Sequence, residues 1–422
     1  IILTPTAYNN GEALCVKPSD GSGDFDFSRN SAATRVNAQG LVENVQILSS
    51  NLVQNGDFSE EGVQEVSNGS FSQEGAEEIV NGGFDTDLSG WTYSNDVIWN
   101  NGKAQVNALD GAFKYIEQQI TSSGTVTYKI SFDVSNIQGV LQVIFANNLV
   151  TEQSTNGSFE VYYTTSETNP RVQFKRKVGT TTFFEIDNVS VREVGQDWTF
   201  GTGWSVGEDK AISDGVSSNS NLFQANILTL NKSYKISIDV VLNSGTLNVY
   251  ITSAVTKAIS SSGSYTFYGV CDRTDLDFYI KSVNFNGSIT NISVKEVGQD
   301  WSLETGWQIA NNKLNCLGAS SQIEASTLLN FDITKKYKLV FTISGVDSGT
   351  RSFRVYTQGS NGGVIFSYTA HTNGTYEYYY DPSINGTKLA FQTAFNQSTF
   401  SIDDVSVIEI TDDTNLPRIN YE

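Results

Sequence analysis

Val191-Arg-Glu-Val-Gly-Gln-Asp-Trp198 and Val294-Lys-Glu-Val-Gly-Gln-Asp-Trp301 are two copies of almost the same segment in this chain of 422 residues. Trp301 follows Trp198 by 103 residues, and other landmarks recur at the same spacing. A more diverged copy begins near Trp91. A fixed spacing of this size is typical of a small domain used in series. The sequence therefore predicts three tandem modules, at residues 78–194, 195–297 and 298–410.

Each module contains a stretch in which apolar and polar residues alternate. Tyr128, Ile130 and Phe132 are separated by polar residues, and the same pattern starts again at Tyr234 and at Tyr337. A strand with one buried face has this period of two. We find no amphipathic helix longer than two turns. The alternation therefore predicts an all-β chain in which each module is a two-sheet sandwich.

A second signature closes the modules. The first module ends with Phe184-Glu-Ile-Asp-Asn-Val-Ser-Val191 and the third with Phe400-Ser-Ile-Asp-Asp-Val-Ser-Val407. In the first copy the apolar residues change phase after Ile186. Because a slip of one residue turns every later side chain to the other face, this pattern predicts a β-bulge at Asp187-Asn188. The third copy predicts the same bulge at Asp403-Asp404.

A shorter repeat lies upstream of the modules. Asn55-Gly-Asp-Phe58, Asn68-Gly-Ser-Phe71 and Asn81-Gly-Gly-Phe84 follow one another at a spacing of 13 residues. Asn-Gly favours a tight turn with positive φ, so each copy predicts a turn that carries one buried phenylalanine. We expect residues 51–77, which hold the first two copies, either to extend a sheet or to decorate a stalk.

The composition excludes several classes of function. The net charge is −20, so the surface repels the phosphates of nucleic acid and anionic membranes. No apolar run reaches the roughly 20 residues of a membrane-spanning helix. The three cysteines lack the spacing of a repeated disulfide or of a zinc site. Stability is therefore expected to come from packing alone.

The module ends resemble a known family. Asn81-Gly-Gly-Phe84, then Gly90-Trp91, and the closing Ile186-Asp-Asn-Val-Ser-Val191 resemble the jelly-roll carbohydrate-binding modules attached to cellulases and xylanases. The third module keeps Gly306-Trp307 but has no Asn-Gly-x-Phe at its start, and the second has Thr290-Asn291 in place of the acid. The resemblance implies three tandem jelly-roll β-sandwich modules.

Two further segments resemble virion proteins of tailed bacteriophages. The run Gly23-Asp-Phe-Asp-Phe-Ser-Arg-Asn-Ser-Ala-Ala-Thr-Arg-Val36, continuing to Val45, is similar to a segment of those proteins. Asn415-Leu-Pro-Arg-Ile-Asn-Tyr421 is similar to the segment that usually follows it closely there. Here the repeats and modules stand between the two like an insertion. The resemblance implies a protein of the virion surface, anchored through residues 1–50 and 411–422, whose partners are other virion proteins and copies of itself, with a trimer as one arrangement.

Clustered tyrosines are the candidate glycan contacts. In Tyr376-Glu-Tyr-Tyr-Tyr380, neighbouring residues of a strand point to opposite faces, so either the three alternate tyrosines or Glu377 and Tyr379 point outward. An exposed tyrosine beside amides can stack on a sugar ring or contact a neighbouring subunit. The six tryptophans recur in equivalent regions and are interpreted mainly as core. The candidate glycan contacts are Tyr162, Tyr163, Tyr376, Tyr378 and Tyr380.

The acids at the bulges are the candidate metal ligands. In the modules that the chain resembles, an acid at this place helps to hold calcium, a cation that prefers oxygen ligands. Asp85, Asp187 and Asp403 are therefore candidate ligands of a structural calcium ion. Adjacent carboxylates do not form the separated pair that a glycosidase needs. The single histidine, His371, cannot serve three modules, and no nucleophile or phosphate-loop motif occurs. We therefore expect no enzymatic activity.

These observations together predict a bacteriophage structural protein, a fibre or surface-decorating subunit whose modules attach weakly and in several copies to host or environmental polysaccharide. One alternative is a purely structural spacer of the capsid or tail without glycan affinity. A second is a polysaccharide-degrading tail spike, which would need two converging acids in a cleft. A third is a secreted bacterial glycan-binding protein, which the phage-like ends disfavour.

Overall fold

The chain is built from strands throughout the part that the structure describes. This computed structural model describes residues 47–411, apart from 217, 319, 347–349, 360–361 and 397–398, together with four short strands further upstream. Every regular element in these residues is a β-strand, which confirms the all-β prediction. No helix among the described residues is long and apolar enough to cross a membrane.

The upstream strands form two small antiparallel pairs, β1 (Ala7–Asn9) with β2 (Glu12–Leu14) and β3 (Thr34–Val36) with β4 (Val42–Asn44). The rest of the predicted anchoring segments before residue 47 and after residue 411 lies outside the described residues. Contacts divide the chain into two compact units. One contains modules 1 and 2 with residues 59–84 and the short segment 308–311, and the other contains the rest of module 3 with residues 47–58.

Module 1 is a sandwich of two antiparallel sheets. One sheet has the order β15-β12-β17-β10-β9, with β7 also paired to β17, and the other has the order β14-β13-β16-β11-β8. The strands are β7 (Glu74–Glu77), β8 (Thr92–Tyr93), β9 (Val97–Trp99), β10 (Ala104–Ala108), β11 (Tyr115–Gln119), β12 (Val126–Gln138), β13 (Leu141–Phe145), β14 (Asn148–Gln153), β15 (Gly157–Thr165), β16 (Arg171–Arg176) and β17 (Thr182–Val194).

Module 2 has the same architecture, but two long strands, β22 and β25, run through both of its layers. β22 pairs with β24 through its first half and with β23 through its second half. The strands are β6 (Glu61–Gln64), β18 (Thr199–Phe200), β19 (Trp204–Gly207), β20 (Lys210–Asp214), β21 (Ser220–Gln224), β22 (Ser233–Tyr250), β23 (Lys257–Ile259), β24 (Gly263–Val270) and β25 (Phe278–Val297).

Module 3 again has two sheets, with the orders β27-β28-β35-β30-β33 and β26-β29-β34-β31-β32, and β5 pairs with β35. The strands are β5 (Ile47–Asn51), β26 (Trp301–Leu303), β27 (Trp307–Ala310), β28 (Lys313–Cys316), β29 (Glu324–Phe331), β30 (Lys336–Ser344), β31 (Arg351–Gln358), β32 (Gly362–His371), β33 (Gly374–Tyr380), β34 (Gly386–Thr393) and β35 (Phe400–Thr411).

The alternating residues named above fill the cores. Tyr128, Ile130 and Phe132 are nearly or fully buried, and so are their counterparts in the other modules. Five of the six tryptophans are buried, as interpreted from the sequence. Trp99 is the exception, because 41% of its surface is exposed at the end of β9.

The predicted bulges are present at the predicted places. The register between β12 and β17 shifts between Ser131 and Asp133, opposite Asp187-Asn188, and Asn188 has φ +48°. A matching shift in module 3 accompanies φ +51° at Asp404. Module 2 has the same shift, with φ +52° at Asn291, although its sequence lacks the acid. An unpaired residue in the left-handed region is the usual geometry of such an insertion.

Each bulge is covered by one of the 13-residue repeats. In module 1 the Val189 amide donates to the Gly82 carbonyl at 3.0 Å, and the Trp91 indole N–H donates to the Asn81 carbonyl at 3.0 Å. Phe84 is fully buried, with its ring centroid 5.3 Å from that of Trp91. Just before this turn, β7 pairs with the end of β17. We call residues 74–84 an opening segment, because they complete the start of the module.

The other two repeats do the same for modules 2 and 3. Gly69 accepts from the Ile292 amide at 2.9 Å, and Gly56 accepts from the Val405 amide at 2.8 Å. Trp198 and Trp301 donate to the carbonyls of the two asparagines that precede these glycines. Residues 61–71 are therefore the opening segment of module 2, and residues 47–58 that of module 3. Modules 2 and 3 therefore also begin with an Asn-Gly-x-Phe turn, which lies far upstream in the chain. The three opening segments follow one another along the chain in the reverse of the order of their modules.

Ion pairs join two of the three opening segments to their modules. Glu61 of β6 pairs with Lys235 and Lys295 of module 2, and these two ammonium groups lower the pKa of its carboxyl. Glu74 of β7 pairs in the same way with Lys129 and Arg192 of module 1. Position 48, the counterpart in β5, is a leucine, and it pairs in register with Ile410 of module 3. The charges of β6 and β7 therefore match those of the strands beside them.

Replacing Gly82 by alanine is expected to destabilise module 1. A Cβ at residue 82 would stand 1.9 Å from the Val189 carbonyl oxygen, which is backbone and cannot turn aside. Forced overpacking of this kind costs about 1–3 kcal/mol. Denaturant unfolding and hydrogen exchange at the Val189 amide measure the loss. Gly83→Ala is the matched control, since its Cβ would meet nothing closer than the Asp85 carboxylate at 3.4 Å. Equal losses in the two variants would contradict this account of the turn.

Candidate functional site

The tyrosine run of module 3 faces the core with its alternate members. Tyr376 and Tyr378 are half-buried and Tyr380 retains only 7% of its exposure, whereas Glu377 and Tyr379 point outward, with Tyr379 59% exposed. The second of the two orientations left open by the sequence is therefore the observed one. The prediction that Tyr380 contacts glycan is corrected, because its ring lies in the core, where its hydroxyl is 3.2 Å from that of Thr357.

Tyr378 takes part in a hydrogen-bond network with the buried His371. The His371 Nδ1 lies 2.9 Å from the Thr369 carbonyl, which can only accept, so Nδ1 carries the proton and Nε2 accepts from the Tyr378 hydroxyl at 2.8 Å. The Tyr378 ring stacks on Phe366 at 4.2 Å, and Tyr376 stacks on Phe341 at 5.8 Å. These two tyrosines shape the aromatic core of module 3, and little of either ring is open to a sugar.

Both members of the tyrosine pair of module 1 pack against hydrophobic cores. Tyr163 packs on the module core, with its ring 6.0 Å from Phe145. Tyr162 points the other way and packs against Gly207 and the core of module 2. This tyrosine lies at the junction between two modules and has a packing role there, and its role as a glycan contact stays a prediction.

Two of the three candidate calcium ligands have the same structural role. Asp187 accepts from the Asn188 amide at 2.7 Å and Asp403 from the Asp404 amide at 2.8 Å, so both carboxylates cap the bulges. Burial raises the pKa of Asp403, and the nearby charges of Asp404 and Asp57 raise it further. Asp85 approaches Gly83 in the turn of its opening segment. No group of three or more His, Cys, Asp or Glu side chains is gathered for a metal within the described residues, and the calcium site stays a prediction.

A row of aromatic side chains lies on the outer face of the second sheet of module 2. Phe223, Tyr279 and Tyr250 stand in register on the adjacent strands β21, β25 and β22. The residues between them, such as Ile280 and Leu222, point inward and are fully buried. The three half-buried rings therefore form one row across the sheet, which we call the aromatic row.

Polar groups flank the aromatic row. A second row in register is formed by Asn221, Lys281 and Asn248. Each of these residues lies on the same face as the aromatic row, two residues away from its aromatic neighbour on the same strand. The Arg273 guanidinium lies 4.6 Å above the Tyr279 ring. A depression of about 210 Å³ is lined by members of both rows and by Arg273. Amide, ammonium and guanidinium donors beside flat rings are the groups that recognise hydroxyl-rich, ring-shaped ligands.

Tyr279 is held in place by its neighbours. Its hydroxyl donates to the Asp277 carboxylate at 2.8 Å, and burial together with this partner raises the pKa of the phenol. Arg273 is fixed in turn by a two-pronged ion pair with Asp275. Because both side chains are positioned before any ligand arrives, little ordering entropy remains to be lost on binding.

The corresponding faces of modules 1 and 3 carry related clusters of charged, amide and aromatic side chains. In module 1 the Glu117 carboxylate holds Arg171 at 3.1 Å and also binds Gln173. In module 3 the Tyr356 ring is buried beneath Arg354 and Lys388, each about 5.0 Å away. In module 2 the aromatic side chains of this face stand in register on three adjacent strands.

The aromatic row was missed from the sequence, although a signal was present. In Asn221-Leu-Phe223, Asn248-Val-Tyr250 and Tyr279-Ile-Lys281, an aromatic residue stands on the polar phase of an alternating strand. An aromatic side chain in that phase lies on the outer face of the sheet and is therefore a better candidate than a run of adjacent tyrosines.

Comparisons with known proteins assign no family to this chain. No protein-family model matches it, and no curated protein sequence is significantly similar to it. Among solved structures, the allantoicase structure has a TM-score of 0.22 at 8% identity, over 49% of this chain and 83% of that chain. A structure of Sulfolobus Turreted Icosahedral Virus has a TM-score of 0.18 at 12% identity, over 76% of this chain and 90% of that chain. An anti-sigma factor domain-containing protein has a TM-score of 0.15 at 8% identity, over 77% and 97%. Similarity at this level carries no argument about function.

The buried His371 is expected to titrate below the ordinary range of histidine. Burial lowers its pKa, and only the Thr369 carbonyl opposes that effect. The folded state therefore prefers the neutral ring, so its contribution to stability is complete above the unfolded pKa of about 6.5 and is lost as the pH falls through the folded pKa. Since the chain has one histidine, its imidazole NMR signal gives the titration directly. A midpoint at or above the free-histidine value would contradict the network with Tyr378.

Proposed function

We propose that this chain is a structural subunit of a tailed-bacteriophage virion, a fibre or surface-decorating protein, in which residues 47–411 form a display block on the particle surface. Its modules attach weakly and in several copies to polysaccharide of the host or its surroundings. Its partners in the particle are other virion proteins and further copies of itself.

The observation that carries this proposal is the meeting of the two ends of the display block. Ile47, the first residue of β5, pairs with Thr411, the last residue of β35. A folded block whose ends are adjacent can be inserted between two neighbouring residues of another structure without disturbing it. The phage-like segments at 23–45 and 415–421 flank this block, although apart from β3 and β4 they lie outside the described residues. The pairing supports the insertion inferred from the sequence.

The adhesive part of the proposal rests on the aromatic row of module 2. Sugar rings present an apolar face, which stacks on aromatic side chains, and hydroxyl groups, which bond to amides and cations. A surface of this kind with three rings and no deep pocket suits weak binding to repeating units of a polymer. Display of many copies on one particle raises the effective affinity without a tight single site.

Replacing a ring of the aromatic row is expected to weaken glycan binding by the full chain. Loss of one stacking ring should weaken binding about tenfold, since such contacts are worth roughly 1 kcal/mol or somewhat more. The measurement is a polysaccharide array, run with calcium and again with a chelator, using Tyr279→Ala and Tyr250→Ala. Tyr265→Ala on β24 is the control, because this tyrosine lies away from the aromatic row.

Two results would count against the adhesive function. A well-folded chain that binds no polysaccharide on the array would leave the spacer without glycan affinity as the better description. Binding that is unchanged in Tyr279→Ala and Tyr250→Ala would place the glycan site elsewhere on the chain.

A further inference from the structure

The junction between modules 1 and 2 is made by a three-residue cluster on the edge of module 1. The Tyr162 hydroxyl donates to the Glu160 carboxylate, two residues earlier on β15. Lys129 of the neighbouring strand β12 stands opposite Tyr162 and pairs with Glu160 at 2.8 Å. Burial and the Glu160 carboxylate raise the pKa of Tyr162 to about 12, so the phenol is a neutral donor.

A tight turn of module 2 covers this cluster. The Tyr162 ring lies 3.5 Å from the place that a Cβ of Gly207 would occupy, and the Glu208 backbone amide bonds to its hydroxyl. Glu208 and Asp209 have φ values of +52° and +56°, the two consecutive left-handed residues of a tight hairpin turn between β19 and β20. The ring is thereby half-buried and packs against the core of module 2.

Module 3 carries the same cluster. Tyr379 is hydrogen-bonded to Glu377, two residues earlier on β33. Lys338 of β30 stands opposite Tyr379 in register and pairs with Glu377 at 2.6 Å. Tyr379 nevertheless keeps 59% of its surface exposed. Its face is a copy of the surface that in module 1 is covered by the next module.

The counterpart turn is present on module 1. The turn between β9 and β10 is closed by a 2.9 Å bond from the Asn100 amide to the Lys103 carbonyl, and Asn101 and Gly102 have φ values of +48° and +80°. The Asn100 side chain is directed to Gln105 and Glu185. Its outward surface is therefore backbone and Cβ, and a Cβ at the corresponding Gly207 would stand at an ordinary contact distance of 3.5 Å from the Tyr162 ring. Beside the turn, Ile98 and Trp99 are 51% and 41% exposed.

We propose that the Tyr379 face of one molecule binds the β9–β10 turn of a second copy of this chain, in the manner in which Tyr162 binds the β19–β20 turn. One chain supplies both halves of the contact, and its own junction between modules 1 and 2 provides the geometry. The two halves are different surfaces, so the contact is head-to-tail and continues into a ring or a filament. This self-association does not depend on glycan binding.

Cross-linking between copies tests the proposed pairing. Tyr379→Cys and Asn101→Cys chains are prepared separately, mixed and treated with a short bismaleimide. The mixture is expected to give a cross-linked dimer, whereas each variant alone gives only the background of the native cysteines. Cross-linking of Tyr379→Cys with itself, or none in the mixture, would overturn the head-to-tail arrangement.

Sedimentation of the full chain gives the second test. The wild-type chain is expected to associate with rising concentration, and Tyr379→Ala to weaken that association about tenfold, as for a central aromatic contact. Tyr368→Ala is the matched control, because this tyrosine is 37% exposed on the other sheet of module 3. A wild-type chain that stays monomeric, or a Tyr379→Ala chain that associates as strongly as wild type, would overturn the proposal. Unchanged circular dichroism verifies that the variants are folded.

Discussion

The fold of every module depends on one close approach between two backbones. The glycine of each opening segment lies so near the bulge of the closing strand that a Cβ would stand about 2 Å from a carbonyl oxygen. Only glycine fits there, and the same contact lets its own carbonyl accept from the bulge amide. The asparagine before it is left-handed, and its carbonyl receives the tryptophan indole. The turn, bulge and tryptophan therefore form one assembly, and a module without its opening segment would lack the turn and expose the bulge and the tryptophan.

The elements of this assembly could be predicted from the sequence, but not their connections. Period-two alternation identified the long strands, and the change of phase after Ile186 identified the bulge. The three Asn-Gly-x-Phe turns were also recognised. Their assignment to modules was not, because the bonds join residues as far apart as Ser49 and Glu409, 360 positions along the chain. No local pattern encodes such a pairing. The equality of three repeats and three modules, and the match of Glu74 with Arg192 and of Glu61 with Lys295, were the available signals.

In the candidate site, too, the sequence predicted local features but not the contacts that depend on distant residues. Adjacent tyrosines were chosen because they must occupy both faces of a strand, yet the sequence alone did not decide which face is buried. The buried phase holds Tyr376 and Tyr378, whereas Tyr379 lies on the exposed phase. The surroundings of an exposed tyrosine then decide its role, since Tyr162 and Tyr379 have the same local partners and differ in what lies above them.

The reverse order of the opening segments has a consequence for synthesis on the ribosome. The opening segment of module 3 leaves the ribosome first, and its closing strand is made some 356 residues later. At roughly 5–20 residues per second, this segment waits about 20–70 s with an unpaired strand edge, while modules 1 and 2 are completed in turn. Nascent chains therefore close from the innermost module outward. A ribosome that stalls inside module 3 would release two finished sandwiches and one strand without a partner.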